Sequence, residues 1–590
     1  MLIILCLMML ICYYGIIIFS LKFCNVDFVK IFREERGKIL FVLLVGTAFV
    51  FWQVSRQQWI YFWDFAETWQ PTIVCEQTVF SEPFTAWKNL IFSINYRDYN
   101  NFLPMLMALL MHILGKSFLA YTMYVWIMFA LPAIFLTAAA IKTAIEKFCE
   151  ENVSCAAILL ILFSIPLIEI PVMNGYANVA IMLQGIILWL MLLNLDDEKF
   201  QPLRLFLIAV LSILAVIQSR SAAYMIIGLF FGFTVYKIYL RGNIFMLIKK
   251  FFVIGIFGAG LMAILFFPFV EHVLTYNHGA AYSAYSVGHT LAIKIFAHIL
   301  KGGLELYIIF FIGIIAGLRS KKFRPLTIFS TAWAAVTVIL ISRIQFMGMQ
   351  HYYTMLIPFC AIVTVTILIA LKKSKLRGGI LIFLLALNFV QAYTNILPVK
   401  IADQKINFSY IPPVRNDIDE LRNFIGEINT MCDEGNRKAY PLMSSGLYNA
   451  TSFKQSGLPD TLDAAPKMMF TADIDLRDGF PINFFDADII IISAPIQVHL
   501  LPQDQSVVWK ISELVTSMPL ARHFRFVKEI SLYPTEKVSD CVTLKVYEKI
   551  SPYEKSDIDF VENLFVNLYP NNPELFKDRF EKYKLENFND

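Results

Sequence analysis

The sequence predicts an α-helical polytopic membrane protein of about twelve transmembrane helices, followed by a C-terminal α/β domain. Three observations lead to this prediction. The 590-residue chain is 58% hydrophobic and only 16% charged, with a mean hydropathy of +0.61, a balance that soluble proteins do not have. Its apolar residues gather in runs long enough to cross about 30 Å of hydrocarbon. After about residue 396 these runs end, and Asp, Glu, Asn and Pro become frequent.

Twelve apolar runs are the predicted spans. They lie at about 1–20, 39–54, 118–140, 153–170, 176–195, 205–218, 224–240, 251–270, 303–318, 326–342, 352–371 and 379–395. The first run lacks a basic leading region and a small-residue cleavage site, so we predict a helix there and not a signal peptide. A further run, 102–115, is short, and counting it as a span would move every later basic loop to the other side. It is therefore predicted to be a juxtamembrane or half-buried helix.

Lys and Arg are concentrated in alternate loops, and this pattern predicts the orientation. The basic loops are 22–38, 142–147, 199–204, 241–250, 319–324 and 372–377, which the positive-inside rule places in the cytoplasm. The remaining loops are then extracytoplasmic, at 55–117, 166–175, 218–223, 271–302 and 343–351, together with everything after about 396. The prediction is a multi-pass cell-membrane protein whose C-terminal domain is extracytoplasmic. The formal charge of +4 is spread over many short loops, so nothing indicates a nucleic-acid partner.

Three regions are predicted along the chain. Residues 1–38 form an extra N-terminal transmembrane helix with a cytoplasmic basic loop, 39–395 form the main transmembrane domain, and 396–590 form the α/β domain. In the last region, apolar spacing predicts helices at 416–429 and 507–518 and strands at 487–494, 523–533 and 542–550. Strands that alternate with helices are typical of a small α/β domain.

The first predicted outer loop contains an aromatic stretch, 59–69, that holds Asp64 and Glu67 three residues apart. On a helix these two side chains would share one face. A carboxylate among aromatic rings near the bilayer can act as a general base, its pKa raised by desolvation, or can bind a divalent cation. The alternative is an interfacial aromatic belt with solvated acids.

A second candidate segment in the same loop runs through Asp98, Tyr99 and Asn100 into the 102–115 helix. Asp98 stands where the chain re-enters the interface. The alternative for this residue is a helix-capping or surface role.

These motifs resemble the first outer loop of the GT-C superfamily of glycosyltransferases, which includes protein O-mannosyltransferases and lipid A aminoarabinose transferases. The resemblance rests on an acid soon after an early span, on the stretch Tyr99 to Pro104, and on the Leu-rich helix that it enters, which ends in Leu114-Gly115. The stretch His351 to Pro358 is similar to the aromatic entry of a late helix in that group, and the group also places an outer α/β domain after the last span. The sequence departs from the superfamily pattern in two ways: the adjacent acidic pair is here Asp64 with Glu67 displaced, and the N-terminal helix is an addition.

The resemblance implies a GT-C-like fold and a membrane glycosyltransferase. Such an enzyme transfers a hexosyl or pentosyl group from a polyprenyl-phosphate carrier to an extracytoplasmic cell-envelope acceptor, such as a glycolipid, polysaccharide, teichoic acid or protein. It is expected to invert the anomeric carbon, with a carboxylate removing the acceptor proton. Asp64 is the first candidate for this base and Asp98 the second. A divalent cation, Mg²⁺ or Mn²⁺, is a possible cofactor, and metal ligands are not predicted.

The departing phosphate needs a cation. Arg220 and Arg343 each stand at the predicted outer end of apolar segments, where a guanidinium can offer paired donors to a lipid phosphate; the alternative for each is snorkelling to a headgroup. His351 could assist there or form local hydrogen bonds. Tyr352, Tyr99 and Asn100 complete the predicted substrate-binding set, and loop 271–302 is predicted to be a lid over the acceptor.

Other functions fit parts of the pattern. A transporter or lipid-linked sugar flippase is the main alternative, because about twelve spans are also common there, but transporters usually place polar groups at mid-membrane. A polysaccharide polymerase or ligase would be expected to carry Arg in its large outer loop, and 271–302 has none. Nothing positive favours a scaffold without enzymatic activity.

Overall fold

The computed structural model describes residues 2–97, 99–149, 152–275, 283–285, 290–344, 346–394, 400–401, 404–405, 410–537 and 540–588. The chain divides into two compact units. The membrane unit comprises Met1–Arg56, Asp64–Tyr276 and His289–Pro412, and the C-terminal unit comprises Gln57–Trp63, Asn277–Gly288 and Pro413–Asp590.

Within the described residues, seven helices of the membrane unit are long and apolar enough to cross a bilayer by themselves. They are Arg36–Ser55, Phe118–Lys147, Ala222–Tyr239, Ile244–Leu265, Arg324–Ile344, Leu356–Lys373 and Lys375–Thr394. Two further pairs qualify when each bent pair is taken as one span: Cys155–Phe163 with Pro166–Met173, bent by 56°, and Leu291–Gly302 with Leu304–Arg319, bent by 110°. The protein therefore has the helices of a multi-pass membrane protein.

The other predicted spans are helical but shorter. Four apolar helices of 10–17 residues are Cys6–Leu21, Phe102–Leu114, Ala180–Leu193 and Pro202–Gln218. Each of the twelve predicted runs thus falls on a helix, although a count of twelve complete spans stays a prediction. The remaining helices of the unit are Phe28–Glu34, Trp69–Ser81, Pro83–Tyr96 and Phe267–Thr275, and Lys400–Ile401 (β1) pairs antiparallel with Gln404–Lys405 (β2).

Glycines allow the long helices to approach closely. On Ala222–Tyr239, a Cβ at Gly228 would meet Thr337 Oγ1 at 2.3 Å, and one at Gly232 would meet the Phe329 carbonyl oxygen at 2.8 Å. Both neighbours lie on Arg324–Ile344. Small residues at helix contacts are typical of membrane bundles, where close van der Waals packing replaces the hydrophobic effect between helices.

Four of the six loops that the charge pattern assigns to the cytoplasm are joined at one end of this bundle. Glu35 accepts the backbone N–H of Cys155 at 2.9 Å, and Asn194 donates to the Cys24 carbonyl oxygen at 2.7 Å. Lys237 pairs with Asp197 at 2.5 Å. The loops that contain or adjoin Glu35, Cys155, Asp197 and Lys237 therefore share one end, as the basic pattern requires. Which compartment this end faces stays a prediction.

The C-terminal unit is built on a four-stranded mixed sheet. Its strands are Ala439–Leu442 (β3), Ile489–Ala494 (β4), Phe524–Leu532 (β5) and Val542–Lys549 (β6), in the order β3-β4-β6-β5. β3 is parallel to β4, and the other two pairs are antiparallel. The helices of the unit are Ile418–Gly435, Ala450–Lys454, Asp475–Asp478, Ser506–Thr516, Lys555–Leu568 and Glu574–Asn587.

The central strand β4 explains why this sheet has a core on each face. Ile490 and Ile492 pack with the helices Ser506–Thr516 and Lys555–Leu568, whereas Ile489 and Ile491 pack with Ile418–Gly435. Successive side chains of a strand point to opposite faces, so an uninterrupted apolar run marks a strand buried on both sides. The α/β prediction is confirmed, together with its three strands and two helices. β3 was missed because it is four residues long and contains Pro441, which is unfavourable within strands.

Candidate functional site

Asp64 lies in a tight turn of one helical revolution, Trp63–Phe65. The turn is held by a close backbone contact with Gly175, whose φ is +94° and at which a Cβ would stand 2.3 Å from the Phe65 carbonyl oxygen. Only glycine meets both conditions without strain. Tyr121 donates to the Gly175 carbonyl oxygen at 2.8 Å, which ties the turn to the helix bundle. The position of Asp64 is therefore set by backbone packing.

Two neutral donors hold the Asp64 carboxylate. Tyr99 donates its hydroxyl to Oδ1 at 2.8 Å, and Gln350 donates its amide Nε2 to Oδ2 at 3.3 Å. Tyr99 comes from the 55–117 loop and Gln350 from the Met349–Thr354 turn. Gln350 and Asp64 are 286 residues apart in the chain. Burial raises the pKa of Asp64, and the two hydrogen bonds oppose this rise without cancelling it. Asp64 is thus a partly shielded carboxylate that accepts a proton more readily than an ordinary aspartate.

Two phenols next to Asp64 stay neutral. Burial, followed by the charges of Asp64 and Glu67, raises the pKa of Tyr99 well above its ordinary value. Burial and the charge of Asp64 do the same for Tyr176, whose ring lies 5.8 Å from that of Phe65. We call Asp64, Tyr99, Tyr176 and Gln350 the Asp64 cluster. Glu67 lies within electrostatic range of Tyr99 in this cluster.

The predicted cation Arg220 is joined to this cluster by the segment that contains Tyr99. Arg220 stands between the helices Pro202–Gln218 and Ala222–Tyr239, donates from Nη2 to the Arg97 carbonyl oxygen at 2.7 Å, and lies 5.3 Å from the Phe269 ring. Asn178 donates to Ser219 at 2.9 Å in the same turn. Arg97 and Tyr99, two residues apart in the chain, therefore link Arg220 with Asp64.

Asn100 has a structural role in this arrangement. Its Nδ2 donates to the Ile217 carbonyl oxygen at 2.7 Å, and its Oδ1 accepts the Phe102 N–H at 3.0 Å. The side chain therefore fixes the start of the Phe102–Leu114 helix against the Arg220 turn. Substrate binding by Asn100 stays a prediction.

The three other predicted binding residues, Arg343, Tyr352 and His351, make no hydrogen bond to Asp64 in the part of the chain that the structure describes. Arg343 is exposed at the end of Arg324–Ile344 and makes no hydrogen bond or ion pair with the described residues. Tyr352 is fully buried, with its hydroxyl 2.6 Å from Nδ1 of His298. Burial lowers the pKa of His351 to about 4, so this ring is neutral near pH 7 and cannot supply a positive charge to a phosphate. Their roles in binding stay predictions.

Two predictions about acids and metals are left open. Asp98 lies outside the described residues. Within the part of the chain that the structure describes, no group of three or more His, Cys, Asp and Glu side chains could hold a metal ion. A requirement for Mg²⁺ or Mn²⁺ stays a prediction.

The sequence analysis missed Gln350, Tyr176 and Gly175. Gln350 directly precedes the predicted stretch His351 to Pro358, so the prediction began one residue after the side chain that contacts Asp64. Gly175 follows Asn174 in an Asn-Gly pair, which is a strong turn signal but gives no indication of what the turn will touch. Tyr176 was noted only as part of an apolar run. All three became visible only when distant loops were placed together.

The fold and the site define a multi-pass membrane protein with a shielded carboxylate at one end of its helix bundle. The chain is similar to the crystal structure of ArnT from Cupriavidus metallidurans bound to undecaprenyl phosphate, with 10% sequence identity and a TM-score of 0.48, over 86% of this chain and 98% of that chain. No family model and no curated protein matches the sequence. At this sequence identity and TM-score, the similarity does not assign an activity to this chain.

Proposed function

We propose that this protein is a GT-C type glycosyltransferase that moves a sugar from a polyprenyl-phosphate carrier to a hydroxyl group of a cell-envelope acceptor. The observation that carries the proposal is the Asp64 carboxylate, held by Tyr99 and Gln350 at the end of a membrane helix bundle, with its pKa raised by burial. A base for this reaction must be able to take a proton, and the raised pKa of the Asp64 carboxyl makes it a better proton acceptor than an ordinary aspartate.

Asp64 acts on the acceptor in the proposed reaction. The acceptor hydroxyl gives its proton to Asp64 as its oxygen attacks the anomeric carbon. The bond from that carbon to the phosphate oxygen breaks, its electron pair stays on the phosphate, and polyprenyl phosphate leaves. The attack comes from the face opposite the leaving group, so the anomeric configuration is inverted. Each Asp64 oxygen accepts one hydrogen bond from the protein, which leaves lone pairs for the acceptor hydroxyl.

Arg220 is the proposed partner of the carrier phosphate. The guanidinium is half-buried, and its hydrogen bond to Arg97 fixes its direction. As the phosphate leaves it gains negative charge, and a positioned cation stabilises that charge more in the transition state than in the ground state. Tyr99 and Gln350 act through Asp64 and are positioning residues.

The test follows donor consumption by the purified full-length chain in lipid nanodiscs. Undecaprenyl phosphate that carries a radiolabelled hexose or pentose is the donor, a total cell-envelope extract is the acceptor source, and each reaction is run with Mg²⁺, with Mn²⁺ and with a chelator. Asp64→Asn is compared with Asp197→Asn, a matched change at the opposite end of the bundle, where Asp197 pairs with Lys237. Turnover by the native protein and by Asp197→Asn, but not by Asp64→Asn, is the expected result.

Two other results would contradict the proposal. Equal turnover by Asp64→Asn and the native protein would remove Asp64 as the base. If no donor is consumed under any condition, but labelled lipid crosses the bilayer of proteoliposomes, the protein is a flippase and not a transferase.

A further inference from the structure

A second group of polar side chains lies in the C-terminal unit, where the parallel strands β3 and β4 end. The segment that follows β3 contains Ser444 and the segment that follows β4 contains His499, and β3 pairs with residues 489–492 of β4. In open α/β sheets the carboxyl ends of parallel strands form the crevice in which ligands bind. Ser444 and His499 therefore lie at the edge of the sheet where a ligand is expected to bind.

A hydrogen-bond network fixes the imidazole of His499. Its Nδ1 donates to the Ser444 carbonyl oxygen at 3.2 Å and lies 3.0 Å from Ser444 Oγ, while Gln505 accepts the His499 backbone N–H at 3.0 Å. Burial lowers the pKa of His499, so the ring is neutral near pH 7. Gln505 Nε2 lies 3.3 Å from the same Nδ1 nitrogen. In the tautomer that satisfies the Ser444 carbonyl oxygen, Nδ1 carries the proton and Nε2 has a free lone pair. Nε2 makes no hydrogen bond to the residues that the structure describes. A fixed acceptor is left for a ligand.

Two acids and one arginine lie next to this ring. Asp473 accepts the Ser444 hydroxyl at 2.9 Å, and Arg477 bridges Asp473 at 2.9 Å and Asp478 at 2.7 Å through Nη2 and Nε. The Nη1 of Arg477 has no partner among the described residues. We call Ser444, Asp473, Arg477, Asp478 and His499 the carboxyl-edge cluster. With neutral His499 its net charge is −1, so it does not favour an anionic ligand.

Aromatic rings flank the cluster. The centre of the Trp63 ring lies 4.7 Å from that of the His499 ring, and the centre of the Tyr285 ring lies 6.2 Å from it. Trp63 and Tyr285 both belong to the C-terminal unit. The aromatic rings of Trp63 and Tyr285 offer apolar faces, and the carboxyl-edge cluster offers hydrogen-bonding groups beside them. Such a site fits a ligand that has one apolar face and polar groups around its edge.

The cluster is not arranged for hydrolysis. Ser444 is only 1% exposed, so a substrate cannot reach its hydroxyl. That hydroxyl donates directly to Asp473, and His499 faces Ser444 through the nitrogen that bears the proton. A serine nucleophile requires the opposite arrangement, with the unprotonated nitrogen facing the hydroxyl and the acid behind the ring. Binding is therefore the chemistry that these groups support.

We propose that the carboxyl-edge cluster binds a neutral pyranose sugar. The C–H face of the sugar packs against Trp63, one hydroxyl donates to Nε2 of His499, and another accepts from Nη1 of Arg477. An uncharged sugar offers both donors and acceptors, as these groups require, and it avoids repulsion from Asp473 and Asp478. The site does not depend on sugar transfer by the Asp64 cluster; if the proposed function holds, it provides a place for a glycan acceptor.

The proposal is tested by saturation-transfer NMR on the full-length chain in a detergent without a sugar headgroup. The probes are methyl β-glucopyranoside as the neutral sugar, glucuronate as the anion and glucosamine as the cation. Neither donor lipid nor turnover is needed, so a failure here is distinct from a failure of the transferase assay.

Three variants locate the binding. His499→Phe keeps a ring but removes the acceptor, and we expect about fivefold weaker binding of the neutral sugar. Trp63→Leu removes the aromatic face and should weaken binding by about tenfold. Trp509→Phe is the matched control, because Trp509 lines a separate cleft of about 440 Å³ in the same unit together with Pro502 and Tyr569; it should bind like the native chain.

Several outcomes would overturn the proposal. These are no transfer to the neutral sugar, equal binding by the native chain and both His499→Phe and Trp63→Leu, or a loss of binding in Trp509→Phe. Tighter binding of glucuronate or glucosamine than of the glucoside would show that the site prefers a charged sugar and would contradict the proposal of a neutral one. Because Trp63 has a φ of +44°, thermal unfolding checks that Trp63→Leu is folded, and His499→Phe gives an independent result.

Discussion

The Asp64 cluster and the carboxyl-edge cluster both shield carboxylates, but their partners differ in charge. Asp64 is held by a phenol and an amide and makes no ion pair with the described residues. Asp478 is held by the Arg477 guanidinium. Burial raises the pKa of Asp64, whereas for Asp478 the effect of burial is outweighed by its hydrogen bond and ion pair with Arg477, which lower the pKa. Asp473 is paired with the same guanidinium, yet burial raises its pKa in spite of that ion pair. Arg477 therefore keeps Asp478 ionised, whereas burial dominates at Asp473 as it does at Asp64.

The largest expected effect is on the transfer reaction and comes from Asp64→Asn, which keeps the shape but removes the base. We expect the rate of donor consumption to fall by about 10²–10⁴-fold, the usual contribution of general base catalysis. The matched change Asp197→Asn, which affects the ion pair with Lys237 outside both clusters, should leave this rate within a few-fold of native. Initial rates with radiolabelled donor measure both. A similar loss in the two variants would mean that Asp64 has no special function in the transfer.

The neutrality of the groups near Asp64 can be tested at His351, the neighbour of Gln350. Its folded-state pKa of about 4 lies below the ordinary value of 6.5, so the unfolded chain binds the proton first, and stability falls as pH drops from 6.5 to 4. We expect the native protein to lose up to about 3 kcal/mol relative to His351→Gln over this interval. Thermal unfolding at several pH values measures the difference. If the native protein and His351→Gln lose stability equally as the pH falls, His351 takes up its proton in the folded state as readily as in the unfolded chain, which would contradict the prediction.

A substitution at Gly175 disturbs the backbone that positions Asp64 and leaves its hydrogen-bond donors Tyr99 and Gln350 in the sequence. Gly175→Ala brings a methyl group to 2.3 Å from the Phe65 carbonyl oxygen, and we expect a loss of about 1–3 kcal/mol in stability together with lower turnover. Gly115→Ala is the matched control, because Gly115 also has a positive φ, of +111°, but nothing within 4 Å of its Cβ. Only Gly175→Ala should lower turnover. Equal effects would mean that backbone strain and not the Asp64 turn is responsible.

In the carboxyl-edge cluster, Arg477→Gln leaves Asp473 and Asp478 without their cation. Because the Arg477 side chain is 31% exposed, water offsets part of the loss, and we expect about 1–2 kcal/mol lower stability at pH 7. Arg525→Gln breaks a more exposed pair with Glu548 and should cost less than about 1 kcal/mol. Since the folded-state pKa of Asp478 is lowered, the deficit of Arg477→Gln should shrink as pH falls below about 4. A deficit independent of pH would contradict the ion-pair explanation.

The smallest effect is a shift of the pH profile by Tyr99→Phe. The raised pKa of Asp64 places the acid limb of kcat/KM above the ordinary aspartate pKa of about 3.9. Removal of a donor to the charged form raises that pKa further, so the limb should move up by about half a pH unit. Gln350→Met, which removes the longer hydrogen bond of 3.3 Å, should move it less. A shift to lower pH in either variant would exclude Asp64 as the group that titrates.

Much of the architecture could be read from local patterns. The requirement to bury backbone polar groups in lipid makes each span a long apolar run, and all twelve predicted runs lie on helices. The sheet strands β4, β5 and β6 were marked by their apolar content. The alternation of basic loops agrees with the packing, because four of the six predicted cytoplasmic loops contact one another at one end of the bundle. Asp64 and Arg220 were found because acids and arginines are rare beside spans and stand out.

The sequence alone therefore determined the protein class, the helices and the acid on which the proposed chemistry depends, since these follow from residue type and from spacing along the chain. Only the tertiary structure decided which groups share a site. The Gln350 contact with Asp64 spans 286 residues, and the Trp63 contact with His499 joins the first outer loop to a strand end in the same unit. Such contacts depend on how helices and strands pack in three dimensions, and no local pattern encodes the distance between side chains so far apart in the chain.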